Sequence, residues 1–220
     1  MRLVVALCAA LVALGACAPR AAAPPAPVAD AGSVEYARAR TVLVQVDTDG
    51  DGARDGWGSG VVVSSGTVSV VATAAHVIRC EDCTYTVVTD GGRELAAARH
   101  VLDEAGDVGL LVVDQPMPAA ELAPGAALGD RVMHVGYPME LTDQSVPHLT
   151  VSRGTVSTFL SAGRIRLTGV DIFFGSSGGP IFDAEGRVVC LAVSMAAYGV
   201  QKSDYCTSNQ YIARLMLHTD

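Results

Sequence analysis

The sequence predicts an all-β fold of the sandwich or barrel type. Runs rich in β-branched and aromatic residues recur at short intervals and mark the expected strands: 41–46, 60–63, 67–72, 84–88, 108–113, 131–136, 149–159, 164–167 and 188–193. Turn signals such as Asp90-Gly91-Gly92 and Pro124-Gly125 separate these runs. The sequence lacks the alternation of helical and strand patterns that builds a parallel sheet. Only the tail has a helical pattern, in which Ser208 would cap a segment that places Ile212 and Leu215 on one face.

Composition fits a folded, acidic body. The chain has 220 residues, 50% hydrophobic and 17% charged, which is enough apolar surface for a core and too much for a disordered protein. Its 15 Lys and Arg against 23 Asp and Glu give a formal charge of -8, which argues against a nucleic-acid partner held by phosphate contacts. The longest apolar run, residues 3–14, is 12 residues long, whereas a membrane-spanning helix needs roughly 18. A polytopic membrane protein is therefore excluded.

The N-terminus has the pattern of an export signal. Arg2 precedes the apolar run, as in the positive and apolar regions of a secretory signal peptide. Leu14-Gly15-Ala16-Cys17 resembles the lipobox of bacterial lipoproteins, which implies cleavage before Cys17 and lipidation of that residue. An ordinary signal peptide cut further on, with an incidental Cys17, is the alternative. Removal of residues 1–16 would take away Arg2 alone among charged groups and leave a formal charge of -9.

A tether is expected between the signal and the folded body. Residues 18–33 are rich in Pro and Ala without apolar periodicity, which suits a semi-extended linker. We therefore predict a lipoprotein signal peptide at 1–16, a lipidated Cys17 with a tether to residue 40, and a folded domain at 41–220. This organisation predicts export and lipid anchoring in the bacterial cell envelope, at the periplasm and outer membrane or at the cell surface.

Four cysteines fall in the expected folded domain: Cys80, Cys83, Cys190 and Cys206. Disulfides persist in oxidising compartments, and four thiols allow three pairings that sequence alone does not separate. We favour Cys80 with Cys83 and Cys190 with Cys206, the second closing a loop of about 16 residues worth ~3 kcal/mol in the chain-entropy model. A zinc or redox site is the alternative for the C-x-x-C spacing, but no second C-x-x-C and no βαβ pattern accompanies it.

The strongest chemical signal is Gly175-Ser176-Ser177-Gly178-Gly179-Pro180. A serine nucleophile needs an adjacent base, and acyl transfer needs donors aimed at the developing oxyanion. Glycine allows a tight turn in which the N–H groups of Gly175 and Ser177 converge. A Gly/Ser-rich hairpin loop and the G-x-S-x-G elbow of an α/β-hydrolase esterase are alternatives for the hexapeptide alone. The elbow enzymes place acid and histidine after the serine, and only His218 follows Ser177 here.

A base and an acid precede the serine along the chain. His76 follows the apolar run 70–72 and the small residues 73–75. Asp107 opens an apolar strand where an unpaired charge would be expensive, so it demands a partner, and a buried carboxylate fixes an imidazole tautomer. Asp103, in a polar stretch, is the competing acid and is better explained by a solvated turn. The other histidines lack the approach that leads to His76: His100, His134, His148 and His218.

Together these residues resemble the trypsin-like serine peptidases of the chymotrypsin fold, and most of all the bacterial HtrA/Deg-like branch. Four motifs in family order carry the resemblance: Gly58-Ser59-Gly60-Val61-Val62-Val63, Thr73-Ala74-Ala75-His76-Val77, Asp107-Val108-Gly109-Leu110-Leu111 and Gly175-Ser176-Ser177-Gly178-Gly179-Pro180. The resemblance implies two six-stranded antiparallel β-barrels, about 41–120 and 121–220, here with a short C-terminal helix. It also implies a triad of His76, Asp107 and Ser177, an oxyanion hole from Gly175 and Ser177, protein or peptide substrates and no cofactor.

The sequence departs from the family pattern in its length and leaves specificity open. The chain ends about 40 residues after Ser177, so we expect no PDZ domain, and the oligomeric state stays open. Asp171 stands where trypsin carries its pocket aspartate, which would favour Arg or Lys at the cleaved bond. Phe173 and Phe174 instead favour a shallow apolar pocket, which we prefer. The alternative function is an inactive protease-fold surface lipoprotein that acts as a binding module.

One acidic segment has a weak metal-binding pattern. Asp47-Thr48-Asp49-Gly50-Asp51-Gly52 matches the first half of an EF-hand loop, with Asp55 at the ninth place. The twelfth place is Gly58 rather than the bidentate Glu, and strands flank the segment. An acidic hairpin tip is therefore the preferred interpretation, and we predict no metal.

Overall fold

The structure is a computed structural model that describes residues 32–139, 147–193 and 202–217. The expected signal peptide, Cys17, most of the expected tether and His218 lie outside the described residues. No described helix has both the length and the apolar character that crossing a membrane requires.

The first of two barrels is built from six antiparallel strands: β1 (Thr41–Asp47), β2 (Gly56–Ser65), β3 (Ser69–Thr73), β4 (Thr84–Thr89), β5 (Glu94–Asp103) and β6 (Val108–Val113). They close in the order β1-β2-β3-β6-β5-β4. Side chains on a strand alternate between faces, so Val42, Val44 and Val46 of β1 all point into the barrel core. The barrel thus forms its own apolar interior.

The second barrel also has six strands: β7 (Arg131–Gly136), β8 (Thr150–Phe159), β9 (Arg164–Thr168), β11 (Pro180–Phe182), β12 (Val188–Ala192) and β14 (Tyr205–Ser208). The closing order is β11-β12-β14-β9-β8-β7, while β10 (Ile172–Phe173) pairs with β13 (Lys202–Ser203) in a separate two-stranded sheet. A disulfide between Cys190 and Cys206 joins the neighbouring strands β12 and β14 in the core. A second disulfide joins Cys80 to Cys83 before β4. Both pairings are those favoured from the sequence.

Three short helices complete the fold: α1 (Val34–Arg38), a 3-10 helix (Ala75–Val77) and α2 (Gln210–Met216). Ser33 caps α1 by accepting a hydrogen bond from the backbone N–H of Tyr36 at 3.0 Å, and Ala37 is fully buried. The fold therefore begins before residue 41, inside the segment expected to be a tether. A five-residue helix with one buried alanine is too short to give a periodic signal.

The C-terminal helix is present with Ile212 and Leu215 buried, as the sequence predicted, but its cap differs. The residue at the N-cap is Asn209 rather than Ser208. The Asn209 amide does not cap the helix; it donates to the carbonyl oxygens of Ala123 and Val188, both at 2.7 Å. This side chain therefore ties the start of α2 to the second barrel, a role that no local sequence pattern indicates.

The predicted fold class, two six-stranded antiparallel barrels with a short C-terminal helix, is confirmed. The strands missed from the sequence are β5, β10, β11, β13 and β14. The β5 segment, ELAAARHVLD, is rich in residues of high helix propensity, and its pairing with β4 and β6 overrides that preference. The other missed strands have two to four residues, too few for a visible alternation.

Candidate active site

The loop between β10 and β11 carries Ser177 and takes its shape from glycine. Gly175 and Gly178 have φ values of 81° and 84°, in the left-handed region that favours glycine. A Cβ atom on Gly175 would overlap the carbonyl oxygen of Tyr137, and one on Gly178 would overlap the carbonyl oxygen of Ser59. The glycines around the serine are therefore required both by backbone conformation and by the close approach of neighbouring chain segments.

Short hydrogen bonds within the second barrel fix this loop. The backbone N–H of Ser176 donates to the carbonyl of Phe173 at 3.0 Å, and that of Gly179 donates to Ser176 at 2.8 Å. The N–H of Gly178 donates to the carbonyl of Ala192 in β12 at 2.9 Å. The turn that carries Ser177 is thus anchored to strand β12 of its own barrel.

Ser59, in β2 of the first barrel, braces the same loop from the other side. Its N–H donates to the carbonyl of Ser177 at 2.8 Å, and its Oγ donates to the carbonyl of Gly175 at 2.8 Å. The Ser59 Oγ also accepts a hydrogen bond from the N–H of Tyr137 at 2.8 Å. Ser59 stands in one of the motifs that carry the family resemblance, but no local sequence pattern indicates this bracing role.

His76 and Asp107 are hydrogen-bonded in the first barrel. His76 lies in the 3-10 helix after β3, and Asp107 precedes β6. The Nδ1 atom of His76 is 2.8 Å from Oδ2 and 3.0 Å from Oδ1 of Asp107, and the His76 backbone N–H donates to Oδ1 at 3.0 Å. Because β3 and β6 are neighbouring strands, their pairing brings together residues that are 31 positions apart.

The electrostatics of Asp107 favour its charged form. Burial raises the pKa of Asp107, but the hydrogen bonds from His76 and the charge interactions with His76 and Arg164 outweigh burial and hold the pKa below its ordinary value of 3.8. An ionised carboxylate only accepts hydrogen bonds, so Nδ1 of His76 carries a hydrogen and donates a hydrogen bond to Asp107. With Nδ1 as the donor, Nε2 is the ring nitrogen that can accept a proton.

One cleft of about 820 Å³ is lined by His76, Asp107 and Ser177 together. The side chains of His76 and Asp107 are 28% and 17% exposed, and Ser177 is 4% exposed. Gly175, the other residue expected in the oxyanion hole, lines the same cleft. The structure therefore brings together all the residues that the sequence proposed for acyl transfer.

The competing acid lies in a different environment. Asp103 forms an ion pair with Arg214 of α2 and accepts a hydrogen bond from the N–H of Gly106 at 3.0 Å. These contacts explain Asp103 as a structural residue that holds the turn before β6. Asp107 is the carboxylate that contacts His76.

The region before Ser177 separates the two hypotheses about specificity. Asp171 is exposed, its N–H donates to Oγ of Ser152 at 3.0 Å, and it is absent from the described residues that line the cleft. Phe174 and Val193 do line the cleft. The described lining of the cleft thus includes these two apolar side chains and does not include the candidate pocket aspartate.

The acidic segment after β1 folds on its own hydrogen bonds. Carboxylate oxygens of Asp47, Asp49 and Asp55 lie within 4.8 Å of one another. Asp47 accepts from the N–H groups of Gly50 at 2.7 Å and Gly52 at 2.9 Å, and Asp55 accepts from the N–H of Thr48 at 2.7 Å. These bonds explain the acidic residues as supports of a tight hairpin tip.

Comparison with known proteins identifies the family. The trypsin-like peptidase domain matches residues 58–191. The chain belongs to the trypsin-like peptidase family. The esterase alternative is therefore wrong, since Ser177 follows a strand of an antiparallel all-β fold rather than the parallel sheet of an α/β-hydrolase.

Relatives of this trypsin-like peptidase chain include HtrA proteins. Over 157 residues it is 29% identical to the serine protease HTRA1A of Danio rerio, covering 65% of this chain and 31% of that protein. Over 146 residues it is 34% identical to a probable periplasmic serine endoprotease DegP-like of Bartonella henselae, covering 60% and 27%. The chain thus spans less than a third of the length of these curated relatives. The crystal structure of the serine endoprotease from Yersinia pestis has the same fold, with a TM-score of 0.70, 21% identity and coverage of 86% of this chain and 65% of that one.

Proposed function

We propose that this protein is a serine endopeptidase that hydrolyses peptide bonds through Ser177, His76 and Asp107. The observation that carries the proposal is the 2.8 Å hydrogen bond between His76 Nδ1 and Asp107, in the same cleft as the glycine-supported Ser177. Membership of the trypsin-like peptidase family supports it further. A buried carboxylate that orients the imidazole, and a serine on a tight turn, are the parts that acyl transfer requires.

The reaction has two halves. Ser177 Oγ attacks the substrate carbonyl carbon while Nε2 of His76 takes the hydroxyl proton, and Asp107 stabilises the imidazolium that forms. The backbone N–H groups of Gly175 and Ser177 stabilise the oxyanion. The imidazolium then donates its proton to the leaving amine, which leaves an acyl-enzyme on Ser177. Water, deprotonated by His76, hydrolyses that ester and restores the serine.

Covalent labelling tests this assignment directly. A fluorophosphonate probe should label the wild type, and the modified peptide should carry the probe on Ser177 rather than on the adjacent Ser176. The Ser177→Ala variant should stay unlabelled and inactive while it unfolds at the same temperature as the wild type. Exposed Ser161 offers a matched control, and Ser161→Ala should label normally. A wild type that folds but takes up no probe would instead indicate an inactive binding scaffold.

We infer that the cleft accepts a small apolar side chain at the cleaved bond. Phe174 and Val193 line the cleft and offer it an apolar surface, whereas Asp171 is absent from the described residues that line it. Digestion of a peptide library should therefore show cleavage after small aliphatic residues. Cleavage confined to sites after Arg and Lys would contradict this inference.

We further propose export and lipid anchoring at Cys17. The lipobox-like segment supports this, and the two disulfides are of the kind that persists in oxidising compartments. The mature protein purified from membranes should begin at Cys17 and carry lipid when its N-terminal peptide is analysed by mass spectrometry. The Cys17→Ser variant should lose the lipid. A mature N-terminus further along the chain would contradict lipidation.

A further inference from the structure

The ring of Tyr211, in helix α2, lies between two turns that lead into the active-site cleft. A Cβ atom on Gly106 would overlap the ring at Cδ1, and a Cβ on Gly163 would stand 2.7 Å from Cε2. The Tyr211 hydroxyl donates to the carbonyl of Ala162 at 3.1 Å. Gly106 directly precedes Asp107, and Gly163 directly precedes Arg164. One aromatic ring therefore contacts the backbone next to both charged residues.

Both turns contain a residue in an unfavourable backbone conformation. Asp107 and Ala162 each have a φ of 55°, and they are the only non-glycine residues with positive φ in the part of the chain that the structure describes. Such residues keep this conformation only where the surrounding structure holds them. Hydrogen bonds hold each turn separately, and Tyr211 is a side chain that contacts both of them.

Arg164 faces the cleft from the second barrel and is held in place. It begins β9, where it pairs with Thr207 of β14, and its guanidinium donates to the Thr207 Oγ1 at 2.7 Å. Arg164 and Asp107 line the same cleft. The ion pair between Asp103 and Arg214, another residue of α2, also holds the turn of Asp107.

We propose that Arg164 and Tyr211 are positioning residues for Asp107. Tyr211 holds the two turns at a fixed separation, and Arg164, held by Thr207, places its positive charge in the cleft that Asp107 lines. This inference rests on the proposed peptidase function of the site. Arg164 of the second barrel and Tyr211 of helix α2 would thus help to position Asp107, which belongs to the first barrel.

The charge of Arg164 should affect the pH dependence of the site. The other charged groups that line the cleft with Asp107 and His76 are Arg79, Arg164, Glu104 and Asp55. Besides His76, Arg164 acts on Asp107 through its charge, and this charge lowers the pKa of Asp107. A cation at this place opposes protonation of Asp107. Without it, Asp107 should take up its proton at higher pH.

Two variants of Arg164 test the charge. Arg164→Gln should move the acid side of the kcat/KM profile, followed down to about pH 3, to higher pH at low salt and by less at high salt. Arg164→Lys keeps the charge and should restore the wild-type profile. Identical profiles for the Gln variant and the wild type, or a Lys variant that behaves like Gln, would overturn the proposal, since a purely structural role gives no dependence on charge.

A second measurement does not depend on turnover. In the Ser177→Ala background, carboxyl NMR should show a higher pKa for Asp107 in Arg164→Gln and an unchanged one in Arg164→Lys. If the wild type has no activity but the NMR shift is observed, the peptidase function is contradicted and the positioning role is retained. An active wild type with no shift in either experiment would overturn the positioning role alone.

Variants of Tyr211 test the clamp. Tyr211→Phe keeps the ring between Gly106 and Gly163 and should retain kcat within about threefold. Tyr211→Ala removes the ring and should lower kcat at least tenfold, with a much smaller change in KM, because misplacement of a catalytic group affects chemistry more than binding. An alanine variant that folds with unchanged kcat would refute the clamp. If that variant does not fold, a tenfold loss in Tyr211→Phe would refute it as well.

Discussion

Replacement of His134 by Leu should flatten the dependence of stability on pH between neutrality and about pH 4. His134 lies in β7 and is 1% exposed. Neither of its ring nitrogens has a hydrogen-bond partner among the residues that the structure describes. Burial lowers the pKa of His134 from 6.5 to about 4, while the backbone and the charge of Asp171 act weakly in the opposite direction. The ring is therefore neutral at pH 7 and resists protonation as long as the barrel is folded.

The size of the effect follows from the two pKa values. The unfolded chain binds a proton at His134 below about pH 6.5, whereas the folded chain does so only below about pH 4. Between these values the unfolded state holds more protons, so the free energy of unfolding falls as the pH falls. A difference of about 2.5 pH units at 1.36 kcal/mol each gives a loss of about 3 kcal/mol. The stability is fully present above pH 6.5 and is lost by about pH 4.

Urea unfolding at a series of pH values measures this loss. The experiments use the Ser177→Ala background, which prevents self-digestion. They are done without a reducing agent, so the disulfides stay intact. His134→Leu should decline by about 3 kcal/mol less than its parent between pH 7 and pH 4. Exposed His100 provides the control, and His100→Gln should follow the parent. Asp107 has a pKa below 3.8, so it acts below this window. Parallel curves for His134→Leu and the parent would refute the reasoning.

Two further substitutions probe the contact between the barrels. Ser59→Ala should reduce the free energy of unfolding by about 1 to 3 kcal/mol and lower kcat, because the Gly175 carbonyl and the Tyr137 N–H lose a buried partner; an unchanged urea midpoint and kcat would contradict the bracing role. Gly178→Ala should prevent folding or destabilise by more than about 2 kcal/mol, since its Cβ would overlap Ser59 at a left-handed φ. Gly125→Ala is the control, because its Cβ would meet nothing within 4 Å, and its free energy of unfolding should stay within about 0.5 kcal/mol of the wild type. Equal destabilisation by the two alanine substitutions would exclude the steric explanation.

The sequence predicted those parts of the fold and site whose signals are local. Strand β1 is rich in Val and other residues of high β propensity, so it is visible without knowledge of its partners. The glycines around Ser177 and the apolar strand after Asp107 likewise carry their own chemical reasons. The order of His76, Asp107 and Ser177 then distinguished the family from other serine hydrolases.

What the sequence did not predict depends on partners far along the chain. The Oγ of Ser59 bonds to a carbonyl 116 positions away, and the Tyr211 ring contacts a turn on the other barrel. Strand β5 reads as helical until β4 and β6 pair with it. His134 resembles any strand histidine until the barrel closes over it. In each case tertiary contacts decide the outcome, and no window of sequence contains them.

The two barrels support each other's functional residues reciprocally. Ser177 belongs to the second barrel, and the residue that braces its loop is Ser59 of the first. Asp107 belongs to the first barrel, and Tyr211, which contacts its turn, follows the second. A small shift of one barrel against the other would therefore change both contacts together and disturb the nucleophile and the acid at once. Both contacts depend on glycine, because a Cβ would overlap Ser59 at Gly178 near the serine and the Tyr211 ring at Gly106 near the acid.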